Sequence, residues 1–251
     1  MRTALISDVH GNLEALQVVL DDIDKRQVDR IVCLSDIIGY GPNPCECLDM
    51  VMARCDYSIL GNHDFAAIYE PTNFNVAAEQ ASFWTRRQIE LDPDDVKRKA
   101  RIDFLGKLAV RKWEGDVLYV HASPRKPINE YIFPDDVHHA TNKMKSIFDC
   151  IETRCFVGHT HMQGVFTDEP DFYPPAELGG SYTWKAGKKA IINPGSVGQP
   201  RDHDPRAAYA IADETKVDFV RIEYDVHATA RKIKGVAELN NFLGLRLMDG
   251  R

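Results

Sequence analysis

The sequence predicts an α/β fold built on a largely parallel sheet, and three observations carry that prediction. Short apolar runs alternate with helical periods up to about residue 60; a purely helical stretch follows; strand patterns then resume at Val117. Strand–helix–strand order marks parallel pairing, because a parallel return needs a crossover connection that antiparallel hairpins do not.

The elements follow in order. Arg2 to Ser7 is a short apolar run, and after the turn at Gly11 a helix spans Leu13 to about Arg26. Leu13, Leu16, Val19 and Ile23 recur at helical spacing, while Asp21, Asp22 and Asp24 form a solvated face and not a metal cluster. Arg30 to Leu34 and Tyr57 to Leu60 are the next strands, separated by the turn-rich Gly39 to Pro44 and a helix beginning near Pro44. From Phe65 to Arg111 only helical periods occur, broken at Pro71 and Pro93, which reads as an inserted helical cap. Its basic run, Lys97, Arg98, Lys99 and Arg101, is either a solvated face or part of a substrate cap. Val117 to Val120 is a strand, Asp135 to Ile151 a helix, and Cys155 to Val157 a further strand. Tyr182 to Trp184 and Ala190 to Ile192 read as a hairpin around Lys185 to Lys188, as do Ala207 to Ala212 and Val217 to Tyr224. A C-terminal helix starts after Asp225, an N-cap. The whole is expected to be one domain.

Composition narrows the function classes. With 38 acidic against 31 basic residues the formal net charge is -7, which repels a nucleic-acid backbone and argues against polymer binding. No apolar run approaches the roughly 18 residues that cross a bilayer, and the first residues read as a core strand rather than a signal peptide. A cytoplasmic location, no membrane partner and six reduced cysteines are therefore expected. Cys45-Glu46-Cys47 lacks a second cysteine pair at metal-site spacing. The sequence leaves homo-oligomerisation open.

One regularity carries chemistry. Five predicted strands each end in metal- or phosphate-binding residues: Asp8-Val9-His10, Asp36, Gly61-Asn62-His63-Asp64, His121 and Gly158-His159-Thr160-His161. The carboxyl ends of parallel strands line one crevice, so these groups can converge. In Asp8-x-His10 and His159-x-His161 alternate side chains can reach the same cavity. Packing alone does not account for so many polar residues at such positions, because burying them unpaired is costly.

This ordered set resembles the signature of the calcineurin-like metallophosphoesterases, and Asn193 to Arg201 is similar to a later segment in their prokaryotic small-molecule branch. Ser35 departs from the pattern, since glycine usually precedes that aspartate. The resemblance implies a two-sheet β-sandwich flanked by helices. It also implies two divalent cations: Asp8, His10 and His161 on the first, Asp36 bridging, and Asn62, His121 and His159 on the second. His63 would face the substrate as general acid, with a hydroxide attacking in line. Imidazole ligands disfavour calcium; manganese, iron, zinc, nickel or cobalt fit, and the resemblance favours manganese or iron.

The implied function is hydrolysis of phosphodiesters or phosphomonoesters of small molecules, nucleotides among them. Asn12 is either a phosphate contact or a helix N-cap, and Asn62 could touch substrate as well as metal. Arg201, in a Pro-rich loop, is a candidate substrate contact. Asp64 could orient His63, cap a helix or lie in solvent. Gly39 and Tyr40 stand where phosphoprotein phosphatases carry an Asp and a phosphate-binding Arg, which weighs against that rival activity. A non-catalytic scaffold is the second rival, and His138-His139 is read as inert.

Overall fold

The computed structural model describes residues 1–251. In the first third, β1 (Thr3–Ile6), α1 (Leu13–Lys25), β2 (Arg30–Cys33), α2 (Pro44–Arg54) and β3 (Tyr57–Ser58) form the parallel unit. Three helices follow: α3 (Asn62–Ile68), α4 (Val76–Glu90) and α5 (Asp95–Gly106). Next come β4 (Arg111–Glu114), β5 (Val117–Val120), α6 (Asp136–His139), α7 (Thr141–Phe148) and β6 (Arg154–Phe156). The remaining strands are β7 (Gly164–Thr167), β8 (Asp171–Tyr173), β9 (Ser181–Thr183), β10 (Ala190–Asn193), β11 (Ala207–Ala212) and β12 (Lys216–Ile222). Helices α8 (Val226–Lys234) and α9 (Phe242–Met248) close the fold.

The strands make two mixed six-stranded sheets, ordered β3-β2-β1-β11-β12-β9 and β4-β5-β6-β10-β7-β8. Strand periodicity explains the layering. Leu5 and Val32 point between the sheets, where they meet Phe156, Val165 and Ile192 of the other sheet. Their neighbours Ala4, Ile6, Ile31 and Cys33 point the opposite way, onto Leu16, Val19 and Leu20 of α1 and Leu48 of α2. In the second sheet Leu118, Val120 and Cys155 likewise turn outward onto Met144 and Ile147 of α7. Strands covered on both faces read as continuous apolar runs for this reason. The result is the helix-flanked sandwich that the sequence leads one to expect.

Strands β4, β7 and β8 lie where the sequence reading marked none, and two expected elements are rearranged. The runs around Tyr182 and Ile191 are not a hairpin: β9 is the edge partner of β12, whereas β10 lies inside the other sheet between β6 and β7. All four residues of β10 are buried, so it needs partners on both sides, and the intervening turn crosses between sheets. The helix expected over Asp135 to Ile151 is two short ones, broken at Ala140 by a non-helical backbone (φ -134°, ψ 47°).

The helices after β3 pack against the body. Ala78, Ala81 and Trp84 of α4 join Tyr40, Leu243 and Leu247 in one apolar cluster, so α4 and α9 meet over Tyr40. The basic run divides. Arg101 is buried and forks onto Asp49 of α2 at 2.7 Å through both arms, with Asp92 at 2.5 Å. It is an anchor for α5, neither solvated nor aimed at the polar cluster. Arg98 pairs with Asp95 on the surface.

Candidate metal centre

The carboxyl ends of β1, β2, β5 and β6, together with the start of α3, converge on one buried cluster. Asp8, His10, Asp36, Asn62, His63, His121, His159 and His161 are all at most 8 % exposed. The chain reaches this arrangement through unusual backbone. Asp8, His10, Ser35, Asp36, Tyr40, His159 and His161 all have φ between 47° and 89°, the region that favours glycine. Such conformations cost roughly 1–2 kcal/mol each in an ordinary L-residue, and they persist because β-strands and backbone hydrogen bonds hold both sides. Asp8 N donates to Ser35 O at 2.9 Å and His10 N to Asp36 O at 2.8 Å.

Glycines make the room. A Cβ on Gly61 would stand 2.2 Å from Asp36 Oδ1, and one on Gly158 would stand 2.7 Å from Asp8 Oδ2. Gly39, at φ +87°, passes so close to His63 that a Cβ there would meet Nδ1 at 2.5 Å. An aspartate at position 39 would therefore displace the His63 ring.

The donor atoms fall into three overlapping groups: Asp8, His10 and His161; His10, Asp36 and His63; and Asp36, His121 and His159. His161 Nε2 lies 3.2 Å from Asp8 Oδ1 and 3.2 Å from His10 Nε2. His121 Nε2 lies 3.2 Å from Asp36 Oδ2, 3.1 Å from Asn62 Oδ1 and 3.1 Å from His159 Nδ1. Asp36 thus belongs to groups on both sides. Donors about 2.0–2.2 Å from a shared cation stand roughly 3 Å apart, so the observed spacings fit that purpose. Outer contacts aim the rings: His10 Nδ1 faces Ile38 O at 3.3 Å, His121 Nδ1 faces Leu34 O at 2.9 Å, and His161 Nδ1 faces Gln199 O at 2.6 Å. With Nδ1–H donated to a carbonyl, each Nε2 lone pair is left facing inward.

Electrostatics agree with that donor set at three of its four imidazoles, and at His121 a cation would have to displace a proton. Burial pulls His10 and His161 down, and takes His63 to about 4 and His159 to about 3. These four imidazoles are neutral at physiological pH, as metal binding requires. Burial also opposes ionisation of Asp8 and Asp36, but facing imidazoles, chiefly His161 for Asp8 and His121 for Asp36, outweigh it and hold both carboxyls below the usual range. Asp36 in turn lifts His121, against the effect of burial, to about 9. Two carboxylates, a carboxamide and clustered imidazoles are a donor set for divalent transition metals.

Asp64 is not solvated. It is fully buried, and it accepts from Ile37 N at 3.0 Å, Ile38 N at 3.2 Å and Ser35 Oγ at 2.5 Å. Ser35, the departure from the family pattern, thereby acquires a partner that glycine cannot offer. Asp64 clamps the loop after Asp36. Burial and the neighbouring Asp36 push its carboxyl up to about 7. Asn12 is the N-cap of α1, accepting from Ala15 N at 3.2 Å, while its amide donates to Gly198 O at 2.8 Å and its oxygen takes Thr229 Oγ1 at 3.0 Å. Of its two readings the cap is the one these bonds support. Arg201 approaches the cluster edge; its Nη2 donates to Gln199 Oε1 at 2.8 Å and its buried Nε has no partner. His138 and His139 lie on α6 and join none of the ligand groups, and Cys45 and Cys47 likewise stay apart.

Several neighbours had no sequence signal. The His63 ring lies between Tyr40 and Phe74, with centroids 4.3 and 4.6 Å away. Tyr131 stacks on His159 at 4.0 Å, and Phe133 stacks on Tyr131 at 5.2 Å, both partly in solvent. These aromatics sit in irregular stretches, where no periodicity marks a side chain as inward-facing.

Residues 1–216 match the family model of the calcineurin-like phosphoesterase superfamily domain, so the chain belongs to that superfamily of phosphoester hydrolases. It is 38% identical to an uncharacterised protein of Methanocaldococcus jannaschii, over 99% of this chain and 98% of that one. It is similar to the crystal structure of a metallophosphoesterase from Sphaerobacter thermophilus, with a TM-score of 0.82 at 38% identity, covering 100% of this chain and 99% of the other. A symmetrical bis(5'-nucleosyl)-tetraphosphatase of Erwinia tasmaniensis is 30% identical over 115 residues, 39% of this chain and 42% of that one. No helix is long and apolar enough to cross a membrane.

Proposed function

We propose that the chain is a two-metal hydrolase of small phosphate esters. Asp8, His10 and His161 would hold one cation, Asn62, His121 and His159 would hold the other, and Asp36 would be shared between them. The observation that supports this reading is the position of Asp36, whose Oδ2 lies 3.9 Å from His10 Nε2 on one side and 3.2 Å from His121 Nε2 on the other. Two divalent ions bound there would lower the pKa of water and offset the charge of phosphoryl oxygens.

The protein's own groups do the rest. His63, fixed between Tyr40 and Phe74, is neutral in the substrate-free site; a bound phosphate dianion would stabilise its imidazolium, which then gives its proton to the departing oxygen. Asn62 contributes a neutral oxygen, which leaves the site's positive charge for an anionic substrate. Tyr40 and Phe74 cover the His63 ring on two sides. The exposed Tyr131 and Phe133 rings offer a face on which a planar group such as a nucleobase can stack. In this reading the segment from Phe65 to Arg111 acts as a cap through Phe74, while Arg101 serves only to hold it in place. Manganese or iron remain the favoured ions.

Gly39 weighs against a phosphoprotein phosphatase, because the space an aspartate would occupy holds the His63 ring. The test is turnover. Protein stripped with a chelator should hydrolyse neither bis(p-nitrophenyl) phosphate nor p-nitrophenyl phosphate, and manganese should restore at least one activity. A panel of nucleotides, cyclic nucleotides and dinucleoside polyphosphates then defines the substrate. A manganese-loaded protein inert on the whole panel would overturn the enzyme reading in favour of a scaffold.

A further inference from the structure

The imidazoles of the cluster are not all held in the same way. In His10, His121 and His161 the nitrogen turned away from the cluster faces a carbonyl, at 3.3, 2.9 and 2.6 Å. His159 has no such partner. Its Nδ1 points inward, 3.1 Å from His121 Nε2, and its Nε2 is buried without a hydrogen bond. What the ring meets instead is Tyr131, stacked on it with centroids 4.0 Å apart and planes 29° from parallel. Phe133 stacks on Tyr131 in turn, at 5.2 Å and 5°.

The loop that carries Tyr131 follows β5, starts directly after His121, and is fixed on both sides of the ring. Ala122 N donates to Pro127 O at 2.7 Å, which closes the loop on itself. Before Tyr131, Glu130 accepts from Ser123 Oγ at 2.5 Å and from Arg125 Nε and Nη2 at 3.0 and 2.6 Å. After it, Ile132 is buried in the apolar cluster of Val120 and Val137. The Ile132 carbonyl accepts from Thr160 Oγ1 at 3.0 Å. Thr160 stands between His159 and His161, so that bond ties the loop to the strand end that presents the ring. Tyr131 and Phe133 are 39 % and 46 % exposed and join none of the apolar core clusters. The core therefore makes little use of them.

We propose that Tyr131 is a positioning residue for His159, doing by stacking what a backbone carbonyl does for the other three rings. The proposal rests on the two-metal reading above and gives one ligand of the second cation its support. A neutral imidazole has one donor and one acceptor nitrogen. A ligand must turn its lone pair inward, and His159 turns Nδ1 inward, so the ring's proton belongs on Nε2. No carbonyl stands behind Nε2 to hold it there. The stack fixes the plane of the ring instead, because rotating the imidazole drives its edge into the Tyr131 face. The contact with His121 then selects between the two flips of that plane. The ring face makes the contact, so phenylalanine at position 131 would serve as well.

Two readouts test it, neither of which needs turnover. Nitrogen NMR on chelator-treated protein should show His159 in the parent as a single species protonated on Nε2. Tyr131→Phe should show the same, and Tyr131→Leu should lose that single species. In titrations of the same proteins with Mn²⁺, Tyr131→Leu should weaken one of the two ions by about tenfold or more, the usual effect of losing an outer partner of a metal ligand. The other ion should bind as in the parent, because His10 and His161 keep their carbonyls. Tyr131→Phe should bind both ions normally, and so should Phe242→Ala, which removes an exposed ring on α9. Three results overturn the proposal: parent-like binding by a folded Tyr131→Leu, an equal loss at both ions, or a Tyr131→Phe protein no better than Tyr131→Leu. A parent protein whose His159 behaves in NMR as described, with Tyr131→Leu losing the single species, but which binds no ion, overturns the two-metal reading instead. The positioning of His159 by Tyr131 would then stand.

Discussion

The same strands end very differently at their two ends. At the amino ends of β2, β5 and β6 the charges are closed in pairs: Arg30 forks onto Glu114 at 3.0 and 2.5 Å, Lys112 sits 3.5 Å over the Tyr57 ring, and Arg154 lies over Trp184. A cleft of about 440 Å³ lies on this side, lined by Asp116, Arg154, Trp184 and Lys188 among others, and it contains none of the candidate site residues. At the carboxyl ends, two carboxylates and five imidazoles crowd together on left-handed backbone, with ring nitrogens of different histidines 3.1–3.2 Å apart. One end pairs its charges internally. The other is held in place by the sandwich and gathers a donor set of the kind a metal centre uses.

That contrast is sharpest at a single carboxylate on each end. Asp36→Asn should reduce bound metal and lower turnover by more than the roughly 10–100-fold typical of losing an outer partner of a metal ligand. Glu114→Gln should cost no more than about 1 kcal/mol of stability, in keeping with a partly exposed pair, and leave turnover intact. Elemental analysis, kinetics and denaturation measure all three quantities. Comparable turnover losses for the two variants would erase the distinction between the ends.

The next effect separates ligand from acid within the cluster. His63→Gln should keep both metals and lose about 10²–10⁴ in rate on an alkyl or ribosyl ester, because a basic leaving oxygen needs its proton. The loss on p-nitrophenyl esters should be distinctly smaller. His121→Gln should reduce bound metal and harm both reactions. Equal losses for both leaving groups in the His63 variant would assign it to phosphate binding.

Glycines provide a smaller and purely steric comparison. Gly61→Ala forces a methyl to within 2.2 Å of Asp36 Oδ1, and should cost about 1–3 kcal/mol together with reduced metal occupancy. Gly187→Ala, at φ +70° in open space by the other cleft, should cost only about 1–2 kcal/mol from its backbone conformation, with turnover unchanged. Calorimetric melting and metal content distinguish the two. Full metal occupancy in a folded Gly61→Ala protein would count against the close fit at Asp36.

The acid response of chelator-treated protein is the mildest of these effects. The model histidine value is 6.5, and the folded chain holds His63 at about 4 and His159 at about 3. The unfolded chain therefore binds more protons across this window, and stability should fall as pH drops from about 6.5 toward 4. His121, lifted to about 9, has the opposite sign: its contribution is full below about 6.5 and is lost as pH rises through 9. Urea titrations across pH should show both arms, and saturating manganese, which binds neutral imidazoles, should deepen the acid arm and abolish the one from His121. A flat profile in the metal-free protein would contradict the burial described for these rings.

The sequence exposed this cluster because ligand-type residues recur at strand ends, where topology alone brings Asp8, Asp36, His121 and His159 together. The βαβ alternation before Leu60 was readable for the same local reasons. What escaped was set by tertiary contact. A short apolar run such as Ala190 to Ile192 suits a hairpin or a central strand equally well, and only its burial between β6 and β7 decides. Asp64 carries no sequence mark of burial, yet it clamps the Asp36 loop through two amides and Ser35. Nothing local shows that α9, through Leu243 and Leu247, returns to Tyr40.

The central claim is that the carboxyl-end cluster holds two metal ions that share Asp36. Its most direct measurement is a titration of chelator-treated protein with Mn²⁺, read by equilibrium dialysis with elemental analysis. The account predicts two ions per chain in the parent protein, reduced occupancy in Asp36→Asn, and two ions retained in His63→Gln. A parent protein that saturates with one ion or none, or an Asp36→Asn variant that binds two as tightly as the parent, would contradict it.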